Sequence, residues 1–213
     1  MKRFAGREVK RSASRAQGPE AETLRRWKFH PPLVLLSCLL IGAVPTTDII
    51  EWRAARPLHW SDYKGNVPYP TKHGAATAIE VRSSNAFPDW NHVTYDVTCV
   101  VIKSGSWVKP ELRADSALLN HERRHFDLAE CSARTLRSIL QKESVSIQEC
   151  NQRLQVLRDS MYAAWVGIDT RYDLETAHGT IAQEQERWAK KIAHTLDSLS
   201  AYTEPHFVVE LKR

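Results

Sequence analysis

The most constraining feature of this sequence is the segment His121-Glu122-Arg123-Arg124-His125, which lies inside a long helical pattern. At about 100° per residue, His121 and His125 lie only about 40° apart on a helix, so both imidazoles can reach one metal ion. Glu122 points about 100° away from His121, close enough to accept a proton from a water molecule at the metal. The spacing therefore predicts two metal ligands and a general base.

The same pattern predicts which side of this helix is buried. Apolar residues at helical spacing lie within about 60° of His121 on the helix surface; they are Leu118, Leu128, Leu136 and Ile139. The histidine pair lies in the middle of this stripe, where two imidazoles without partners would each carry a desolvation cost. One metal ion bound by both imidazoles explains the pair better than two ordinary core histidines.

The flanking patterns predict an α+β fold, with a small N-terminal β-sheet followed by the histidine-bearing helix and two further long helices. Residues 77–82 alternate apolar with polar side chains, and residues 93–102 are largely β-branched and apolar, as in strands. Apolar residues at helical spacing predict a second helix around residues 154–168 and a third around residues 181–199. Between these helices, residues 171–179 are expected to be irregular, and residues 207–211 suggest a short final strand.

The N-terminal part of the chain has a targeting pattern. Residues 1–30 form a basic arm, and residues 31–44 contain no charged side chain. Fourteen residues is the length of a signal-peptide core and is short for a membrane span. A signal peptide or membrane anchor is therefore expected here, with residues 45–213 forming an exported domain; the alternative is a buried element of that domain.

The distribution of charge argues against nucleic-acid binding. The whole chain carries a net charge of +5, whereas the first 30 residues alone hold nine Lys and Arg against three Glu. The remaining residues therefore have a net charge of about −1. A folded part without excess positive charge offers little support for a nucleic-acid interface.

Three cysteines would remain in an exported domain: Cys99, Cys131 and Cys150. In an oxidising compartment, one disulfide and one remaining thiol are expected. Cys131 and Cys150 lie on consecutive predicted helices, but their positions along the helix axes differ by roughly 10 Å. The sequence therefore does not decide which two cysteines pair.

A catalytic zinc site normally has three protein ligands, so a third one is required. Glu130 lies near 180° from His121 on an unbroken helix, which favours a buried carboxylate or a partner of a ligand over direct metal binding. The stretch 171–179 is rich in coordinating side chains. His178 is the preferred third ligand, with a capping or surface histidine as the alternative; Glu175 is the next candidate.

Two aromatic residues are candidates for supporting roles. Tyr172 could donate a hydrogen bond to a developing oxyanion, or simply pack in the core. Trp107 could lie on a strand that lines the cleft and pairs with an extended substrate, or it could be a core or rim aromatic residue.

Several motifs of this chain resemble, in their order along the sequence, those of one group of bacterial proteins. They are Leu58-His59-Trp60-Ser61-Asp62-Tyr63-Lys64-Gly65, Ala75-Ala76-Thr77, Ser106-Trp107, residues 119–130, Tyr172-Asp173, Thr176-Ala177-His178-Gly179, Gln185 and Trp188. Over roughly residues 50–200, the chain resembles a bacterial family of uncharacterised secreted proteins grouped with zincin-like metallopeptidases. The resemblance implies a zincin-like fold, zinc-dependent peptidase activity and a third ligand at His178.

The sequence thus predicts a peptidase of the cell envelope in which His121, His125 and His178 bind Zn²⁺ and Glu122 is the general base. Its expected partner is a peptide or protein substrate. One alternative is a non-catalytic envelope protein that is stabilised by zinc and binds a partner. The other is a metal-free helical interaction module.

Overall fold

The sheet of this protein is built around one long strand. In the computed structural model, which describes residues 48–212, the elements follow the order β1 (Ile49–Glu51), β2 (Ala75–Ala76), β3 (Ile79–Ala86), β4 (His92–Ile102), β5 (Trp107–Val108), α1 (Ser116–Lys142), α2 (Cys150–Thr176), α3 (Ala182–Ser198) and β6 (His206–Glu210). Three helices with antiparallel sheets confirm the α+β class.

All strand pairs of the main sheet are antiparallel. β3 pairs along one edge of β4, with Ile79 opposite Val101 and Ala86 opposite Thr94. β1 and β6 share the other edge of β4, one towards each end. A separate two-stranded sheet joins β2 to β5, and residues of β2 line a cleft beside α1.

The main core lies between β4 and α1. Alternate residues of β4 face the helix, as the period of two in a strand requires; they are Val93, Tyr95, Val97, Cys99 and Val101. Phe126, Ala129, Ala133, Leu136 and Leu140 of α1 pack against them. The small side chains of Ala129 and Ala133 are fully buried, which allows the helix to lie close to the sheet. α1 is therefore packed against the sheet from Phe126 to Leu140.

α1 begins and ends at clear signals. The Asp115 side chain accepts a hydrogen bond from the Leu118 backbone N–H at 2.9 Å, as an N-cap residue does. The helix ends at Lys142, where the largely polar stretch 142–146 begins. His121 and His125 thus lie within a continuous 27-residue helix.

The segment 171–179 differs from its sequence-based expectation of an irregular structure. α2 continues through Thr176, because residues 168–176 contain neither Gly nor Pro to interrupt it. The chain then turns through three residues with positive φ: Ala177, His178 and Gly179. Coordinating side chains before residue 177 therefore project from a helix.

Glu130 lies on the side of α1 away from His121, as its position on the helix predicts. The residue is 2% exposed, and its carboxylate accepts hydrogen bonds from Arg134 and Arg137. Arg137 also donates to the Val97 carbonyl on β4, and Arg134 donates to the Leu196 carbonyl on α3. Glu130 therefore belongs to a buried ion-pair network that joins α1 to its neighbours.

The expected disulfide is not formed among the described residues: Cys99, Cys131 and Cys150 are buried free thiols. Cys99 and Cys150 lie in the core between the sheet and the helices, whereas Cys131 packs with Trp188 of α3. Burial raises the pKa of Cys99 and raises that of Cys131 to about 12, so both are neutral thiols.

The predicted basic arm, residues 1–30, and the predicted signal peptide or anchor, residues 31–44, lie outside the described residues. Within residues 48–212, every helix is too short or too polar to cross a membrane.

Candidate metal centre

Three ligand atoms from two helices meet at one point beside the cleft. His121 Nε2 and His125 Nε2 on α1 are 3.1 Å apart, and Asp173 Oδ1 on α2 lies 3.0 Å and 3.1 Å from them. Two imidazole nitrogens and one carboxylate oxygen form a ligand set suited to a divalent transition metal. Among the described residues, this is the group that could hold a metal ion.

The spacing of these atoms fits a metal ion. Metal–ligand bonds of 2.0–2.1 Å place the ligand atoms about 3.3 Å apart in a tetrahedron and about 3.0 Å apart on one face of an octahedron. Asp173 Oδ1 is buried and accepts no hydrogen bond from the described residues. Its contacts with the two rings are short but not aligned as hydrogen bonds, as expected when lone pairs converge on a shared point. The residues therefore fit a bound cation.

Asp169 orients His125. It lies one helical turn before Asp173 on α2, and its Oδ1 is 2.6 Å from His125 Nδ1. An Nδ1–H that donates to Asp169 leaves the Nε2 lone pair of His125 free to bind a metal. Carboxylates of this kind fix the ring of a ligating histidine and increase its basicity.

His121 is oriented by residues from the other two helices. Its Nδ1 lies 2.8 Å from the Gln185 side-chain amide of α3 and 3.1 Å from the Tyr172 hydroxyl of α2. As placed, Gln185 Nε2 faces this nitrogen and Tyr172 donates to Gln185 Oε1. Metal binding through His121 Nε2 requires an Nδ1–H, which Gln185 accepts only with its amide flipped; the flipped amide then donates to the Tyr172 hydroxyl. The Tyr172 ring also stacks on His121, with centroids 4.9 Å apart.

The electrostatics of the centre favour a positive charge. Burial opposes protonation of His125, but the hydrogen bond to Asp169 and the close Asp173 carboxylate raise the pKa of His125 to about 10. Asp173 is itself partly buried, yet the two imidazoles hold its pKa below the usual range of a carboxyl group. The two carboxylates that stabilise a proton on buried His125 would also stabilise a divalent cation at this point.

The third converging ligand atom comes from Asp173, whereas His178, the third ligand expected from the sequence, is not in this group. His178 follows the end of α2, and its side chain is 59% exposed with Nδ1 3.5 Å from Asp173 Oδ1. It lines the same cleft and contacts His73 edge to face. Because α2 continues through Thr176, Asp173 faces α1 and His178 stands beside the ligands.

Gly179 allows this turn to approach α1 closely. Its φ is +88°, and a Cβ atom at this position would lie 2.9 Å from Cβ and Cγ of His121. Any side chain here would displace the ligand, so the position requires glycine.

The other candidates lie apart from the ligand atoms. Glu175 accepts hydrogen bonds from Arg187 and from Trp188, both on α3. Tyr172 is fully buried and donates to Gln185, so it supports His121 and does not face a substrate. Trp107 pairs with Ala76 through the backbone of β5 and is not among the residues that line the cleft.

The cleft next to the centre has a volume of about 430 Å³. Residues 72–77, which include β2, form one wall, and Glu122 opens into the cleft beside the two histidines. Glu122 accepts a hydrogen bond from the Thr77 hydroxyl at 2.5 Å. The arrangement can hold a metal ion next to a carboxylate in an open cleft.

Sequence reasoning missed Asp173 and Asp169. A signal for them was present, because two Asp residues four positions apart on a helix face the same side. They also precede Gly179 by less than three turns, which places them near the end of the helix.

A comparison with protein-family models finds no matching family, and comparisons with curated proteins and with solved structures find no match.

Proposed function

We propose that this protein is a zinc-dependent peptidase with a zincin-like fold, in which His121, His125 and Asp173 bind the metal and Glu122 is the general base. The observation that supports the proposal is the convergence of three metal-ligand atoms within 3.1 Å of one another beside a cleft that also contains Glu122. With the N-terminal targeting pattern, we infer that it acts outside the cytoplasm, periplasmic or attached to the membrane.

Each residue of the centre would have its own role in peptide hydrolysis. A bound Zn²⁺ would supply Lewis acidity and lower the pKa of a water molecule. Glu122 would accept a proton from the attacking water and transfer it to the leaving amine. His178, half exposed in the cleft, would donate a hydrogen bond to the developing oxyanion. An extended substrate would lie against residues 72–77 rather than against Trp107.

Removal of the metal tests this function. The purified full-length protein is expected to contain about one equivalent of zinc and to hydrolyse a quenched fluorescent peptide library. A chelator should abolish the hydrolysis, and added Zn²⁺ should restore it. Full hydrolysis in metal-free protein would contradict the proposal.

A second candidate is a non-catalytic zinc-stabilised binding protein. It is favoured by the way the centre connects all three helices, since His121 of α1 contacts Asp173 of α2 and Gln185 of α3. In that case the protein contains zinc and unfolds at lower temperature after chelation, but hydrolyses no peptide. Well under one equivalent of zinc would instead favour the metal-free interaction module.

Replacement of His178 by alanine separates its two roles. We expect zinc content to stay unchanged and turnover to fall by about 10²- to 10³-fold, because the variant lacks only the oxyanion donor. The matched control is His194→Ala, which alters an exposed histidine of α3. Loss of zinc from the His178 variant alone would show that His178 is a ligand.

A further inference from the structure

Two residues distant in sequence from α1 form a hydrogen-bonded chain that ends on Glu122. The Thr77 hydroxyl lies 2.5 Å from Glu122 Oε2, and the Tyr63 hydroxyl lies 2.7 Å from Thr77 Oγ1. Tyr63 is 2% exposed. Both residues belong to motifs, at residues 58–65 and 75–77, that the metal centre does not use.

The direction of this chain follows from its donors. Thr77 has one hydroxyl proton, and an ionised Glu122 can only accept it. The Tyr63 hydroxyl must then donate to Thr77 Oγ1. Burial raises the pKa of Tyr63 far above neutrality, so Tyr63 keeps its proton. The chain therefore runs from Tyr63 through Thr77 to Glu122.

Tyr63 is held in a rigid setting. It packs edge to face on Trp60, with centroids 4.8 Å apart, and both belong to a buried cluster with Ala75 and Val108. Trp60 Nε1 donates to the backbone carbonyl of Asp115, the N-cap residue of α1. The start of the helix and the Tyr63 hydroxyl are thus fixed relative to each other.

We propose that Tyr63 and Thr77 are positioning residues that determine which oxygen of Glu122 carries the proton during hydrolysis; this inference rests on the proposed function. Thr77 already donates to Oε2, which leaves Oε1 as the more basic oxygen and the one that takes the proton from water. A proton on Oε2 would compete with the Thr77 proton, and Thr77 could turn its proton away only by giving up its hydrogen bond to the carboxylate, because Tyr63 already donates to its oxygen.

Glu122 takes up and returns one proton in each reaction cycle. The water oxygen bonds to the peptide carbonyl carbon as its proton moves to Oε1. The C–N bond then breaks as Oε1 returns that proton to the leaving amine. Glu122 ends ionised, with Thr77 still donating to Oε2.

The first arm of the test measures the contact without any substrate. The variants Thr77→Val and Glu122→Ala, and the double variant, are unfolded with denaturant in the full-length chain. Hydrogen bonds to a charged group predict non-additive effects, with a coupling of about tenfold or more in the unfolding equilibrium constant. Additive effects would overturn the proposed chain.

The second arm measures turnover of one peptide selected from the library. Thr77→Val is expected to lower kcat by about tenfold or more with KM within about twofold, because the base is misoriented while the cleft is intact. Thr77→Ser keeps the hydroxyl and should restore kcat. Tyr63→Phe should lower kcat less, and zinc content should stay constant throughout.

Controls from the sheet distinguish the outcomes. Thr94→Val and Tyr95→Phe make the same chemical changes on β4, outside the cleft, and should leave kcat unchanged. If Glu122→Gln abolishes hydrolysis but Thr77→Val does not alter kcat, the positioning role is wrong and the peptidase assignment stands. If the zinc-loaded wild type hydrolyses nothing, the peptidase assignment fails and the positioning role fails with it.

Discussion

Replacing Asp173 with alanine is expected to lower zinc affinity by more than about 100-fold, since loss of a residue that only supports a ligand already costs 10- to 100-fold. Asp173 supplies the one carboxylate oxygen among the three converging atoms. Without it, two imidazoles remain, which is too few for a catalytic zinc site. The affinity is measured by competition with a chromogenic chelator.

Two variants make the result for Asp173 specific. Asp173→Asn preserves the shape of the side chain and removes its charge, so a similar loss of affinity cannot be attributed to a cavity. Asp159→Ala removes an exposed carboxylate from the same helix and should bind zinc like the wild type. Wild-type affinity in both Asp173 variants would contradict the three-ligand centre.

Replacing Glu122 with glutamine is expected to lower kcat by about 10²- to 10⁴-fold and to leave zinc content at one equivalent. The amide keeps the size of the side chain but has no lone pair basic enough to take a proton from water. Because Glu122 is not among the three ligand atoms, the metal should bind as before. Steady-state kinetics and metal analysis on the same sample give both readouts.

The matched control for Glu122 is Glu184→Gln on α3, a partly exposed glutamate that pairs with Arg187 at the surface. It should have wild-type kcat. If Glu122→Gln retains full turnover, Glu122 is not the base; if it also loses zinc, the carboxylate contributes to metal binding. Either result would contradict the mechanism proposed above.

The part of the centre on α1 could be predicted because a helix fixes the angle between residues four positions apart. His121 and His125 are on the same side and buried, as their spacing requires. β3, β4 and the three helices likewise lie where hydrophobic periodicity indicates them.

The third converging atom, Asp173 Oδ1, could not be predicted in the same way, because its place depends on how α2 packs across α1. The polar composition of residues 171–179 suggests an irregular segment, although these residues contain no helix-breaking residue before Gly179. Once residues 168–176 are helical, Asp169 and Asp173 face α1 together. The contact between Thr77 and Glu122 joins residues 45 positions apart, for which local periodicity carries no information.

The hydrogen bonds around His121 make its orientation depend on three separate helices. The ring belongs to α1, the hydroxyl beneath it to α2 and the amide at its Nδ1 to α3. A ligand or partner that shifted α3 would rotate or release this imidazole and so weaken the hold on the cation. By reciprocity, occupancy of the centre would favour one position of α3, and the two events would be thermodynamically coupled.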